Sequence, residues 1–149
     1  MASNFEELER QVMEDMRRTY SEKVIDHAMN PRNVGSMPDA EGFASVTGPC
    51  GDTMEIWLRV KADRVVDATF WTDGCGTTIA AGSMITELAK GKAVGEALKI
   101  TQQDVLNASG GLPEESLHCA LLAANTLKGA IKDYLAFRKE PWKRAYRRH

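Results

Sequence analysis

Three cysteines, one histidine and one aspartate carry the chemistry this chain offers. Cys50 stands in a Pro49-Cys50-Gly51-Asp52 turn, Cys75 lies between Gly74 and Gly76, and Cys119 directly follows His118. Thiolates and imidazole are ligands for zinc and iron–sulfur centres, and a carboxylate beside them is a harder, more weakly held ligand. Each residue also has a plainer reading. Cys50 can be a small hydrophobe in a turn, Asp52 a turn-bonding or strand-opening residue, and Gly74-Cys75-Gly76 a structural loop. A histidine next to a helical cysteine can likewise be purely structural. Where strand gives way to helix, as around Cys75, backbone N–H groups and the helix dipole favour thiolate. His118 and Cys119 fall in the first turns of the last helix. Adjacent residues there point about 100° apart, so one can ligate while the other supports it or exchanges with it. No C-x-x-C pair and no paired-histidine motif is present, which excludes a zinc ribbon or finger pattern. Tertiary structure must gather these ligands, and spacing alone supports a cysteine-rich metal or persulfide site.

The elements that would position them read as follows. Residues 4–27 are helical, with Phe5, Leu8, Val12 and Met16 at helical spacing and a break near Ser21. Pro31 closes that region. A weak strand spans residues 42–46 and precedes the Cys50 turn. The clearest strand alternates Met54, Ile56, Leu58 and Val60 against Thr53, Glu55, Trp57 and Arg59. A hairpin at Lys61-Ala62-Asp63 returns a strand with Val66, Ala68 and Phe70 inward, which places Trp57 and Trp71 on one outer face, able to pair. A helix follows Cys75 to about Lys90, with Gly91 after it. Thr101 and Asp104 mark another helix start. Pro113 opens the last helix, whose apolar stripe is Leu117, Ala120, Leu121, Ala124, Leu127, Ile131, Tyr134 and Leu135. Strands first and helices afterwards indicate an α+β fold, a three-stranded antiparallel sheet with helices packed mainly on one face.

Composition bounds the function. The 149 residues suffice for one domain with its own core, and 43% hydrophobic with 27% charged residues is ordinary for a soluble protein. A net charge of −2 predicts no preference for nucleic acid or membrane. The start lacks the basic and apolar regions of a signal peptide, and no apolar run approaches the roughly 20 residues that cross a bilayer. A cytoplasmic location and reduced cysteines are therefore expected, and the odd cysteine count argues the same way.

The motifs resemble a known family, the IscU/NifU-type iron–sulfur cluster assembly scaffolds. Tyr20-Ser21-Glu22-Lys23-Val24-Ile25-Asp26-His27 and Asn30-Pro31-Arg32-Asn33-Val34-Gly35 carry the likeness, with Cys50-Gly51-Asp52, Asp73-Gly74-Cys75-Gly76, and Leu112-Pro113 before His118-Cys119. The resemblance spans roughly residues 20–138. It implies an IscU/SufE-like fold and three segments: an N-terminal helical extension (1–19), a scaffold domain (20–138) and a basic tail (139–149). It further implies a non-catalytic scaffold that builds a 2Fe–2S cluster, with 4Fe–4S as a second form, and hands it to apo-proteins. Cys50, Cys75 and Cys119 would be the thiolate ligands, and Asp52 and His118 would complete or exchange at the site. Zinc would occupy much the same residues in the apo form. A pyridoxal-phosphate cysteine desulfurase of the IscS/NifS type would supply sulfur as a persulfide, with Cys119 as acceptor. A ferredoxin-like donor would supply electrons. Fewer than four thiolates on turns and helix starts suits a cluster that must be released.

The chain departs from the family where members served by a dedicated Hsp70 chaperone carry Leu-Pro-Pro-Val-Lys. The run here is Leu112-Pro113-Glu114-Glu115-Ser116, which leaves that chaperone a doubtful partner. His118 favours the IscU/NifU side over the SufU-like branch, which usually has a basic residue there. The basic tail, with Arg138, Lys139, Lys143, Arg144, Arg147 and Arg148, reads as a solvated helix end or as a docking strip for an acidic partner. Two other functions compete with the scaffold. One is a zinc-containing sulfur-relay protein that accepts persulfide from a desulfurase. The other is a thiol enzyme using Cys119 with His118 as base, for which neighbouring helix positions diverge and no third orienting group is evident.

Overall fold

A computed structural model of the chain describes residues 4–142. Two helices come first, α1 (Asn4–Thr19) and α2 (Glu22–Met29). They part at the expected break: Ser21 is extended, caps α2 by accepting from the Val24 amide at 3.1 Å, and donates to the Ser109 carbonyl. One side chain thus ends the continuous helix and ties α2 to the rest of the domain. The apolar spacing of α1 is present but meets solvent, with Phe5, Leu8 and Val12 71%, 58% and 50% exposed and no residue of α1 buried.

Strands β1 (Gly42–Thr47), β2 (Thr53–Lys61) and β3 (Arg64–Thr72) form one antiparallel sheet in that order. Met54, Ile56, Leu58 and Val60 fill the inner face of β2, as their alternation predicts. On β3 the prediction is half right. Arg59 faces Asp67 while Val60 faces Val65, so Val66 is an extra residue in β3. Such a bulge reverses the alternation beyond it. Val65 is therefore fully buried, and Val66, expected inward, is 43% exposed. Trp57 also departs from expectation. It stands opposite Thr69, and Trp71 opposite Glu55, so the two tryptophans are diagonal on one face. The ring partner of Trp57 is Phe43, at 5.2 Å between centroids, and Met37 and Ala40 complete the cluster that buries it.

The remaining helices are α3 (Gly76–Ala89), α4 (Val94–Ala97), α5 (Gln102–Ser109) and α6 (Leu117–Lys139), with a 3-10 turn over Glu114–Ser116. Thr101 and Asp104 form the expected capping box of α5, and Gly91 takes φ +85° just beyond α3. Pro113 opens the 3-10 turn, so the α-helix itself begins four residues later than Pro113 suggests. Along α6, Leu121 turns out to be exposed, and Leu122 and Ala123 take the buried positions beside Ala120 and Leu127. Helices α3 and α6 cover the inner face of the sheet. At Gly82 the approach of α3 is so close that an added Cβ would lie 2.4 Å from the Phe70 ring. Residues 33–35 pair along the free edge of β3, where the Gly35 amide donates to the Phe70 carbonyl and the Phe70 amide to that of Asn33, both at 2.9 Å, and Met37 and Ala40 pack over Trp57 on the outer face. This is the expected α+β architecture. Lys143, Arg144, Arg147 and Arg148 of the basic tail lie outside the described residues. Among the described residues no helix is long and apolar enough to cross a membrane.

Candidate metal and sulfur site

The three cysteines sit at three element junctions that the sheet register brings to one end of the molecule. The turn between β1 and β2 holds Cys50 and Asp52. It closes through the Gly48 amide donating to the Asp52 carbonyl at 2.8 Å and the Gly51 amide donating to the Gly48 carbonyl at 3.0 Å. Gly51 adopts φ +91°, which leaves Cys50 exposed at the tip and Asp52 half-buried at the foot. Met54 pairs with Thr72, so the exit of β3 runs beside this turn. Thr72 Oγ1 donates to the Thr53 carbonyl at 2.6 Å, and Asp73 Oδ1 accepts from the Thr53 amide at 2.8 Å. Cys75 follows as the residue that caps α3. The third junction is the start of α6, where Gln102 Nε2 donates to the Leu117 carbonyl at 2.9 Å and His118 and Cys119 follow.

All five expected ligand residues meet here, in two linked groups. The ligand atoms of Cys50, Asp52 and His118 lie within 4.8 Å of one another. Cys119 Sγ lies 3.6 Å from His118 Nε2, so these neighbours do not diverge as their helix positions suggest; the imidazole folds back over the thiol. The second group centres on Thr78, a residue the sequence reading passed over. Its hydroxyl donates to Asp52 Oδ2 at 3.1 Å and stands 3.4 Å from Cys119 Sγ and 3.7 Å from Cys75 Sγ. Its place three residues after the helix-capping Cys75 is a weak signal, because its other partners, Asp52 and Cys119, come from distant parts of the chain.

The thiols are not equivalent. All three are free, Cys50 and Cys75 exposed and Cys119 only 2% exposed. Burial pushes the Cys119 thiol up, and the neighbouring thiols and Asp52 add to that against the Thr78 hydroxyl. At Cys75, burial also opposes ionisation, but the amides and hydroxyls of Thr78 and Thr77 outweigh it and hold the thiol below its ordinary value. Cys75 makes no capping hydrogen bond of regular geometry, so these donors act as a polarised surround. Beside it, Met16, Tyr20, Val24 and Ala28 line an apolar cleft of about 190 Å³ that Cys75 and Thr77 complete. Three thiols, an imidazole and a carboxylate at this spacing fit a thiophilic ion or cluster, with softness from sulfur and a weak carboxylate arm.

The model of the NifU-like N-terminal domain matches residues 19–141. The chain belongs to that family. Family relatives include the iron–sulfur cluster assembly scaffold protein IscU 1 of Archaeoglobus fulgidus, 54% identical over 121 residues, a span of 80% of this chain and 78% of that protein. The scaffold protein IscU of Aquifex aeolicus is 47% identical over 119 residues, covering 78% of this chain and 76% of the relative. Among solved structures, the N-terminal NifU-like protein of Brucella abortus superposes with a TM-score of 0.61 over 78% of this chain and 94% of its own, at 17% identity, which is a likeness of fold.

Proposed function

We propose that this chain is a non-catalytic scaffold on which an iron–sulfur cluster is assembled and from which it is passed to apo-proteins. The observation that carries this reading is the convergence of Cys50, Cys75, Cys119, Asp52 and His118 on one partly exposed site. A permanent cluster calls for four thiolates and burial, whereas three thiolates with a carboxylate or imidazole hold a 2Fe–2S cargo that can leave. The membership of the family, with relatives named as cluster assembly scaffolds, supports the same reading. In this reading 4Fe–4S is a second cargo form, and zinc is held by the same residues before loading.

Sulfur reaches the site from a cysteine desulfurase persulfide. The accepting thiolate, for which we propose Cys119, attacks the outer sulfur, its new S–S bond forms as the donor's breaks, and the desulfurase thiolate leaves. Conversion of that persulfide to sulfide consumes two electrons, the share of a ferredoxin-like donor. Cys119 is buried with the His118 imidazole over its sulfur, so in this reading that cover moves aside for the transfer.

Anaerobic reconstitution with iron, cysteine and a desulfurase, followed by absorbance and Mössbauer spectroscopy, tests the proposal. The wild-type protein should form a cluster and deliver it to an apo-ferredoxin, and Cys50→Ser, Cys75→Ser and Cys119→Ser should each fail. A second reading, zinc-containing sulfur relay, draws on the Cys50–Asp52–His118 triangle, which suits a single ion. Tightly held zinc, a stimulated desulfurase and no transferable cluster would replace the scaffold with the relay.

A further inference from the structure

We propose that Thr78 is the positioning residue of this site, its hydroxyl fixing the Asp52 carboxylate beside Cys75 and Cys119. The inference rests on the reading of these residues as metal and cluster ligands. A threonine hydroxyl has one hydrogen to donate and two lone pairs. Thr78 is fully buried, and its three polar neighbours are all candidate ligands: Asp52 Oδ2 at 3.1 Å, Cys119 Sγ at 3.4 Å and Cys75 Sγ at 3.7 Å. Donation to Asp52 leaves two lone pairs that the protonated thiols can share in the metal-free protein, and once the thiols ionise the single hydrogen still has the Asp52 carboxylate to hold. Thr77 also acts on Cys75, but two other buried threonines of these helices behave differently. Thr86 Oγ1 donates to the Gly82 carbonyl at 2.8 Å and Thr126 Oγ1 to the Leu122 carbonyl at 2.7 Å, the ordinary bond back along a helix. Thr78 alone of these three points its hydroxyl at the site.

The surroundings keep it there. A Cβ on Gly74 would lie 2.6 Å from Thr78 Cβ and 2.7 Å from its Oγ1, so Gly74 forms the wall against which the side chain is fixed. Through this hydroxyl the β1–β2 turn, the cap of α3 and the first turn of α6 share one hydrogen-bonding centre. Thr78 engages Oδ2 of a carboxylate that also stands within 4.8 Å of the Cys50 and His118 ligand atoms. Groups that orient ligands without binding the metal commonly govern affinity on the order of 10- to 100-fold.

The test compares the wild-type protein with Thr78→Val, which keeps the shape and removes the hydroxyl, and with Thr78→Ser, which restores it. Zinc affinity is read by chelator competition, thiolate ligation by the sulfur-to-metal charge-transfer bands of the cobalt(II) form, and folding by thermal unfolding of the metal-free proteins. Thr78→Val should fold, bind zinc on the order of 10-fold more weakly and show altered cobalt bands. Thr78→Ser should recover both affinity and spectrum. Wild-type affinity and bands in Thr78→Val would overturn the proposal, as would a folded Thr78→Ser that behaves like Thr78→Val, since packing of the methyl would then be responsible. Should Thr78→Val not fold, Thr78→Ala takes its place under the same criteria. A wild-type protein that shows no thiolate–cobalt bands would remove the ligand site itself, an outcome distinct from loss of the Thr78 effect alone.

Discussion

The Thr53 amide donates to Asp73 Oδ1 at 2.8 Å, and this bond clamps the turn bearing Cys50 and Asp52 to the turn bearing Cys75. The two turns belong to different strand ends, so the clamp converts sheet register into ligand spacing. Asp73→Ala should cost about 1 kcal/mol of stability in urea unfolding, the net worth of a typical hydrogen bond. It should also weaken zinc binding, and Asp73→Asn, whose side-chain carbonyl still accepts, should recover most of both. Unchanged zinc affinity in Asp73→Ala would reduce the clamp to a structural bond.

The thiols should separate by pH. Cys75 is held below the ordinary thiol value and Cys119 is pushed above it by burial. Alkylation of the metal-free protein, followed by peptide mapping, should therefore modify Cys75 at lower pH and Cys119 only at higher pH. The stability consequence has opposite signs. A thiol depressed on folding stabilises the fold above its unfolded value, whereas a raised one withdraws stability as pH climbs through its folded value. Cys119→Ser should lose less stability than wild type as pH rises past the ordinary thiol range. A steeper loss in the variant would contradict the assignment.

Helix α3 depends on Gly82 for its distance from the sheet. Gly82→Ala places a methyl where the buried Phe70 ring lies, 2.4 Å from the new carbon. Overpacking of this kind costs about 1–3 kcal/mol. A denaturation midpoint equal to wild type would mean that α3 shifts at no cost.

The N-terminal helix should be separable. Since α1 buries none of its residues, a protein lacking residues 1–15 should unfold within about 0.5 kcal/mol of the full chain. Met16 and Tyr20 would remain, and with them the cleft beside Cys75. A large loss of stability would show that α1 supports the domain and would contradict the division at residues 19 and 20.

The strand order, the starts of α2 and α5 and the candidate ligand residues were legible because each has a local cause. Alternation marks β2, Ser21 and Thr101 mark helix starts with their own side chains, and the cysteines stand among glycines. What escaped was set by distant partners. The bulge at Val66 exchanges two adjacent valines whose local patterns are equally apolar, and nothing within β3 announces it. Trp57 is buried by Phe43 and by Met37 from the preceding loop, so its exposure could not be read from strand parity. His118 and Cys119 meet through side-chain rotation, which helix geometry at Cα does not contain. Thr78 resembles any helical threonine until Asp52 and Cys119, 26 and 41 residues away, arrive beside it.

The contrast between exposed Cys50 and Cys75 and buried Cys119 gives the site a direction in time. Whatever enters from solvent meets the outer pair first and reaches the inner sulfur only once its cover, the His118 imidazole included, moves aside. On the proposed scaffold reading, a species held by the outer pair would depart without disturbing buried groups, while one held by all three would not. On that reading the same sulfurs would define a provisional and a committed state, and the cover over Cys119 would set how long the second one lasts.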